Sequence, residues 1–400
     1  MTQESTIHDK KLIIIMVGLP ARGKSYITKN ISNYLNWLGI NTKIFNVGNK
    51  RRFQSTSNHS YDFFNPSNKD NVKYRDELAL ITMNDLLKYL DHENGDIGIF
   101  DATNSTLERR ELLVQTIRQR NYRDMNDIEN TNNNYDILFM ESLCNDPDII
   151  EKNILLKLNG PDYRDDSNSQ QSLIDFRLRL KNYESCYMSV CKDELEELSL
   201  KFEINLSFIK IINIYELNNF NLNSSKLWII NKFLTNFNNF EKKIYISENF
   251  NKIHLLPQDN LSIFTDLSIS QIPQGLKSYE IINEDINEFV LSLESRHTNL
   301  LIISNNSSVL TSLLSYFTHE NFQLESESIY CINSKYYTNK IEEFEDDNNN
   351  IPILDSILPT RSNSLKSPVE SFVNLRKLNE YNGKSGNNDA WEIKEEFIEN

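Results

Sequence analysis

The chain has 400 residues, enough for two domains with tails, and its formal net charge of −15 argues against a nucleic-acid backbone as partner. Its cysteines, Cys144, Cys186, Cys191 and Cys331, form no CxxC pair and read as reduced thiols of a cytoplasmic protein, neither a disulfide frame nor a zinc site. No apolar run reaches the ~18 residues of a membrane span, and MTQESTIHDK lacks the basic-then-apolar order of a signal peptide.

Met1–Lys10 is polar and expected to be flexible. Leu12–Val17 predicts a buried strand that runs into Gly18-x-x-x-x-Gly23-Lys24-Ser25, and Tyr26, Ile27, Ile31, Tyr34, Leu35 and Leu38 then recur at helical spacing. Strand, glycine-rich turn and helix in that order make a P-loop. Its backbone N–H groups can cradle phosphate at a helix N-terminus, Lys24 can reach the β- and γ-phosphates, and the Ser25 hydroxyl can ligate Mg²⁺. A chance glycine turn is the competing reading, and the flanking strand and helix weigh against it. Thr42–Val47 predicts a second strand, followed by Gly48 and the cluster Lys50-Arg51-Arg52. Taken alone, that cluster reads as a solvated turn, although it lies where parallel sheets bind ligands.

Ser55–Lys69 reads as a polar loop and Val72–Leu90 as a helix carrying Arg75. The strand Asp96–Phe100 delivers Asp101, either a Mg²⁺-side carboxylate or a helix N-cap. The helix Ser105–Arg120 follows, with Glu108, Arg109 and Arg110 in its first turn; cations there oppose the helix dipole, which points to a compensating anionic ligand. Asn121–Asn134 reads as a polar insertion, Tyr135–Ser142 as a strand leading to Cys144, and Asp148–Lys157 as a helix. After a loop containing GPDYRDD come a helix over Leu173–Tyr187, a strand over Phe208–Ile214 and a helix over Ser225–Phe237. Alternation of strands and helices predicts an α/β fold, a mainly parallel sheet with helices on both faces.

A second unit is expected from about Lys242, with strands Ile244–Ser247 and Leu300–Ser304 and helices Glu284–Leu293 and Ser308–Phe317. The expected division is residues 1–10 flexible, 11–240 a P-loop domain, 241–335 a second α/β domain, and 336–400 an acidic, polar, largely disordered tail.

The blocks GLPARGKS, LNWLGI-TK-FNVG, FDATN, ESLC-DP and PDY stand in one order. With them the chain resembles the 6-phosphofructo-2-kinase/fructose-2,6-bisphosphatase family, strongly from Lys11 to about Tyr245 and weakly to about Tyr330. Its nearest likeness is a monofunctional fungal member with a degenerate bisphosphatase domain. The resemblance implies a P-loop NTPase-like domain followed by a reduced phosphoglycerate-mutase-like domain. It also implies ATP and Mg²⁺ on the donor side, fructose 6-phosphate as acceptor and fructose 2,6-bisphosphate as product.

On the nucleotide side, Gly18, Leu19, Pro20, Ala21, Arg22, Gly23, Lys24 and Ser25, with Tyr26, match the phosphate loop, and Asp101 matches the metal-side carboxylate. Asn153 to Lys157 matches a segment that contacts ATP, and Lys157 looks like the lysine that bridges nucleotide and sugar. On the acceptor side the resemblance carries over Arg51, Arg75, Thr103, Arg109, Arg179 and Tyr183. Cys144 matches an active-site cysteine and is read as a packing or positioning residue, because phosphoryl transfer from ATP needs no thiol nucleophile. Leu107 departs from the family, whose members usually carry another arginine there.

The second half departs further. The family's Arg-His-Gly, whose histidine takes the phosphoryl group, is replaced by Glu248-Asn249-Phe250, and the second histidine by Asn306. An amide cannot form phosphohistidine, and a carboxylate in place of arginine repels phosphate. His254 and His297 occupy no motif position and read as surface residues. The expected activity is therefore a kinase without bisphosphatase activity, with no nucleic acid or membrane partner and with homo-oligomerisation left open. The alternatives are another small-molecule P-loop kinase, such as a gluconate- or nucleoside-type kinase, and a non-catalytic regulatory or scaffold protein derived from this family.

Overall fold

A computed structural model describes residues 10–54, 60–124, 135–163, 169–213, 216–237, 242–250, 256, 260–272, 279–282, 285–318, 329–334 and 337–341. The expectations for the first nine residues, for 125–134, for His254 and for 342–400 lie outside the described residues.

The first strand, β1 (Lys11–Val17), is apolar throughout because both of its faces are covered. Leu12, Ile14 and Met16 enter one core cluster, and Ile13, Ile15 and Val17 enter the other. All six are fully buried, and each contributes on the order of 2 kcal/mol. The chain continues through α1 (Lys24–Trp37), β2 (Thr42–Asn46), α2 (Val47–Gln54), α3 (Lys69–His92), β3 (Ile97–Asp101), α4 (Leu107–Asp124) and β4 (Tyr135–Leu143). It then forms α5 (Pro147–Leu158), α6 (Ser169–Glu184), α7 (Lys192–Phe202), β5 (Leu206–Ile212), β6 (Glu216–Phe220) and α8 (Ser225–Asn236). The strands order as β2-β3-β1-β4-β5-β6, all parallel except β6. The crossover from β3 to β4 passes over β1, so the P-loop leaves the sheet at a reversal of strand order, where α/β sheets bind ligands.

A second sheet orders as β12-β11-β7-β10-β8-β9. It is built from β7 (Ile244–Ser247), β8 (Leu261–Thr265), β9 (Glu280–Ile281), β10 (Asn299–Ile303), β11 (Ile329–Ser334) and β12 (Tyr337–Ile341), with helices α9 (Ile286–Ser295) and α10 (Ser307–Thr318). Strands β7, β10, β8 and β9 are parallel; β11 runs antiparallel to β7, and β12 to β11. One apolar cluster runs from β1, α1 and α8 into α9 and α10, so the two units share a continuous core. Tyr34 stacks on Phe233 and meets Tyr316 edge-on, and Trp37 Nε1 donates to Ser312 O at 3.2 Å.

Several expectations need correction. Lys50-Arg51-Arg52 lies on α2, not in a solvated turn: Val47 continues β2 directly into helix, and Arg51 is buried. The polar loop before α3 contains a 3-10 turn, Tyr61–Phe64, that buries Phe63 and Phe64. Helix α7 and strands β6, β8, β9, β11 and β12 were not anticipated, being short or only partly apolar. Strand β12 places Tyr337–Ile341 in the second sheet, although the sequence reading assigns it to the tail.

Candidate active site

The phosphate loop is shaped by its backbone. Gly18 has φ +139°, and a Cβ there would lie 2.5 Å from Ser142 O on β4. Gly23, at φ +82°, caps α1 without a side-chain bond, leaving the first N–H groups of the helix open to a ligand. Ala21 also adopts a left-handed conformation, φ 59°, which costs an L-residue energy. The loop is held there from outside: Asn153 Nδ2 donates to Ala21 O at 3.1 Å, Ser142 Oγ donates to Arg22 O, and Gly18 N donates to Thr103 O at 3.0 Å. Asn153 and Thr103, both expected at the site, thus support the loop. Leu19 and Ala21 pack against Ile154, Tyr163 and Phe176; Pro20 O accepts from Arg22, and Tyr26, in the first turn of α1, packs against Phe237.

Lys24 is buried, and its ammonium donates to Leu19 O at 2.6 Å. Desolvation pushes its pKa down to about 7, against the pull of Asp101 and helped by Lys157, Arg22 and Arg179. Ser25 Oγ lies 3.1 Å from Asp101 Oδ2, which also accepts from Asn46 Nδ2 at 2.6 Å. A hydroxyl and a carboxylate at the end of β3 form an all-oxygen donor pair. That suits Mg²⁺, which takes one or two protein ligands and fills the rest from phosphate and water. The N-cap reading of Asp101 is not borne out: α4 begins at Leu107, and Asp101 faces the P-loop.

Lys157 lies near the end of α5. Desolvation lowers its pKa, Asp101 opposes this, and Arg179 and Arg52 add to the lowering. The residue itself is exposed, and solvent screening weakens the effect.

The arginines fall into two groups. Arg51, Arg52 and Arg179 converge on Asp162: Arg51 Nη2 and Arg52 Nη1 donate to Oδ1 at 2.5 and 2.9 Å, and Arg179 Nη1 donates to Oδ2 at 2.9 Å. Burial alone would raise the Asp162 pKa; Arg179 and Arg51, then Arg52, hold it well below the usual carboxylate range. Arg109 pairs with Asp76 and lies close to Arg75 and Tyr183. Tyr183 is buried against Phe64, on the same helix as Arg179, and so links the two groups.

One other expectation, that of a ligand beside the cations of α4, resolves differently. The cations in the first turn of α4 are compensated within the protein. Arg110, fully buried, makes paired bonds to Glu194 at 2.6 and 2.8 Å and donates to Asn104 O and Met188 O, while Arg109 has Asp76. Arg110 therefore fixes the loop after β3, with four of its five N–H groups engaged within the protein. Cys144 is a buried free thiol beside Asp146, the N-cap of α5, which fits packing.

The 6-phosphofructo-2-kinase family model matches residues 1–238, more than half of the chain. The chain belongs to this family. The match ends just before β7, where the second sheet begins. A probable 6-phosphofructo-2-kinase of Schizosaccharomyces pombe is 41% identical over 242 residues, covering 55% of this chain and 33% of the relative. A 6-phosphofructo-2-kinase/fructose-2,6-bisphosphatase 3 of Rattus norvegicus is 39% identical over 203 residues, covering 50% and 33%. A 6-phosphofructo-2-kinase/fructose-2,6-bisphosphatase 1 of Bos taurus is 41% identical over 203 residues, covering 50% and 38%. The matched segment thus spans 33% to 38% of the length of these relatives. Among the described residues, no helix is long and apolar enough to cross a membrane.

Sequence reasoning missed Asn46, Asp162, Arg52 and Phe64 as parts of the site. Asp162 stood in plain view within the PDY block, but its partners lie 110, 111 and 17 residues away, and no local spacing reveals them.

Proposed function

We propose that the chain transfers the γ-phosphoryl group of ATP to the 2-hydroxyl of fructose 6-phosphate, giving fructose 2,6-bisphosphate, and that residues 11–240 carry this activity. The observation that carries the reading is the joining of a P-loop with intact Lys24, Ser25 and Asp101 to two arginine groups, in a chain of this family. Guanidinium groups suit phosphate oxygens and sugar hydroxyls, and their clustering makes this part of an acidic protein locally basic.

The loop N–H groups and Lys24 bind the donor's β- and γ-phosphates. Ser25 and Asp101 hold Mg²⁺, which supplies charge neutralisation on the phosphate oxygens when bound. Arg51, Arg75, Thr103, Arg109, Arg179 and Tyr183 orient the acceptor, and Lys157 serves both substrates. In a loose transition state, positioning and fixed positive charge do most of the work. Both nearby carboxylates are already engaged: Asp101 by Ser25 and Asn46, and Asp162 by arginines that hold its pKa well below the usual carboxylate range. The anomeric 2-hydroxyl is more acidic than an ordinary alcohol, which suits a site without one.

The second unit is read as a reduced bisphosphatase-like domain without that activity. Strands β7 and β10 are adjacent and parallel, and Ser304 N donates to Ser247 O at 3.2 Å. The two family histidine positions, Asn249 and Asn306, therefore follow neighbouring strand ends, but both carry amides. The free thiols support a cytoplasmic location. The test is turnover with ATP and Mg²⁺ on a panel of acceptors. Phosphorylation of fructose 6-phosphate supports the reading, whereas turnover of gluconate or a nucleoside instead of the sugar phosphate overturns it.

A further inference from the structure

We propose that Asp162 and Phe64 are positioning residues that hold Arg51 and Arg179 as a preformed clamp for the acceptor, an inference that rests on the acceptor assignment above. The two arginines come from different elements, α2 and α6, and would repel one another if left unsupported. Asp162 bonds to both through different oxygens and to Arg52 as well, so one carboxylate offsets part of the charge of three guanidiniums. Behind them, the buried ring of Phe64 lies 3.8 Å from the Arg179 guanidinium carbon and 5.2 Å from that of Arg51. The guanidiniums are thus held by a carboxylate and an aromatic face, with other N–H donors left for a ligand.

Both supports are themselves anchored. Asp162 sits in a turn tied to the end of α5, where Gly160 N donates to Lys157 O at 3.0 Å and Tyr163 N to Gly160 O at 3.1 Å. Tyr163 is buried against Ala21 of the phosphate loop, and its hydroxyl donates to Asp175 at 2.7 Å. The same Asp175 accepts from Tyr61 N at 2.8 Å, and Asn182 donates to Tyr61 O at 3.0 Å, fixing the turn that carries Phe64. A carboxylate held this way acts as a brace for the arginines. The brace also runs from the acceptor arginines to Lys157 and the phosphate loop, so it sets the distance between the two substrates.

The test compares full-length wild type with Asp162→Asn and Phe64→Leu, using ATP, Mg²⁺ and fructose 6-phosphate. Asp162→Asn is expected to raise the acceptor KM by about tenfold while the ATP KM stays within about twofold. Phe64→Leu is expected to lower acceptor kcat/KM by about threefold to fivefold in the same one-sided way. An unchanged acceptor KM in Asp162→Asn, or equal rises for both substrates, overturns the clamp. If wild type phosphorylates no sugar phosphate, the proposed function fails. The clamp is then decided by a crystal structure of Asp162→Asn: it predicts that the Arg179 guanidinium leaves the Phe64 ring, and an unmoved arginine trio refutes it. If Asp162→Asn does not fold, Phe64→Leu decides by the same KM comparison.

Discussion

Lys24→Met should stabilise the empty protein while abolishing turnover. Lys24 is buried, donates only to a backbone carbonyl, and forms no ion pair among the described residues. Desolvation brings its pKa from 10.5 to about 7. At about 1.4 kcal/mol per pH unit, holding its charge in the folded state costs at most on the order of 5 kcal/mol. The effective dielectric of a protein interior reduces this, so a gain of about 1–3 kcal/mol is expected at pH 7 for an uncharged side chain of similar length. The sign follows from the proton balance. Below about pH 7 the folded protein carries the full cost. Between about 7 and 10.5 the unfolded chain keeps a proton that the folded protein has released, so wild-type stability rises with pH across that window. Other groups titrate alike in both proteins, so the advantage of Lys24→Met should shrink as pH rises from 7 to 10. Urea denaturation at both pH values measures it, and ATP with Mg²⁺ should stabilise wild type much more than the variant. A variant no more stable than wild type at pH 7, or an advantage independent of pH, would refute the reasoning.

Arg179→Ala should raise the fructose 6-phosphate KM far more than the ATP KM; equal effects in steady-state kinetics would move Arg179 to the nucleotide side. Deleting residues 242–400 bares Tyr34 and Trp37, so melting temperature or soluble yield should fall more than turnover per folded molecule. Turnover lost with stability intact would show instead that the second unit serves the chemistry. Incubation with labelled fructose 2,6-bisphosphate should give neither a phosphoenzyme nor phosphate release, because Glu248, Asn249 and Asn306 supply no nucleophile or phosphate-binding cation. Release that survives loss of Lys24 would contradict that reading.

Much of the first sheet was legible because its signals are local. Leu12–Val17 reads as a buried strand from composition alone, and the glycines at 18 and 23 show their purpose in their spacing. Asp101 stands out in the sequence because a strand ends on it. The rest depends on contacts that sequence spacing does not encode. Arg51 looked like part of a solvated turn because its partner, Asp162, lies 111 residues away. Arg110 looked like a ligand's cation for the same reason, its partner Glu194 lying 84 residues on. Phe64 was hidden in a stretch whose neighbours are Asn, Ser and Asp, and it is buried by tertiary contacts that include Tyr183 and Arg179 of α6. In the second unit, β8 and β11 are five and six residues long, too short for periodicity to separate them from loops.

The central claim is a phosphoryl transfer to the anomeric hydroxyl, and the chemistry of the product tests it most directly. Purified protein is incubated with γ-labelled ATP, Mg²⁺ and fructose 6-phosphate, and the labelled sugar is then treated with mild acid. The account predicts a new sugar bisphosphate that forms only with intact Lys24 and whose label acid releases as phosphate, regenerating fructose 6-phosphate. An acid-stable labelled ester, or label incorporated equally by Lys24→Met, would contradict it.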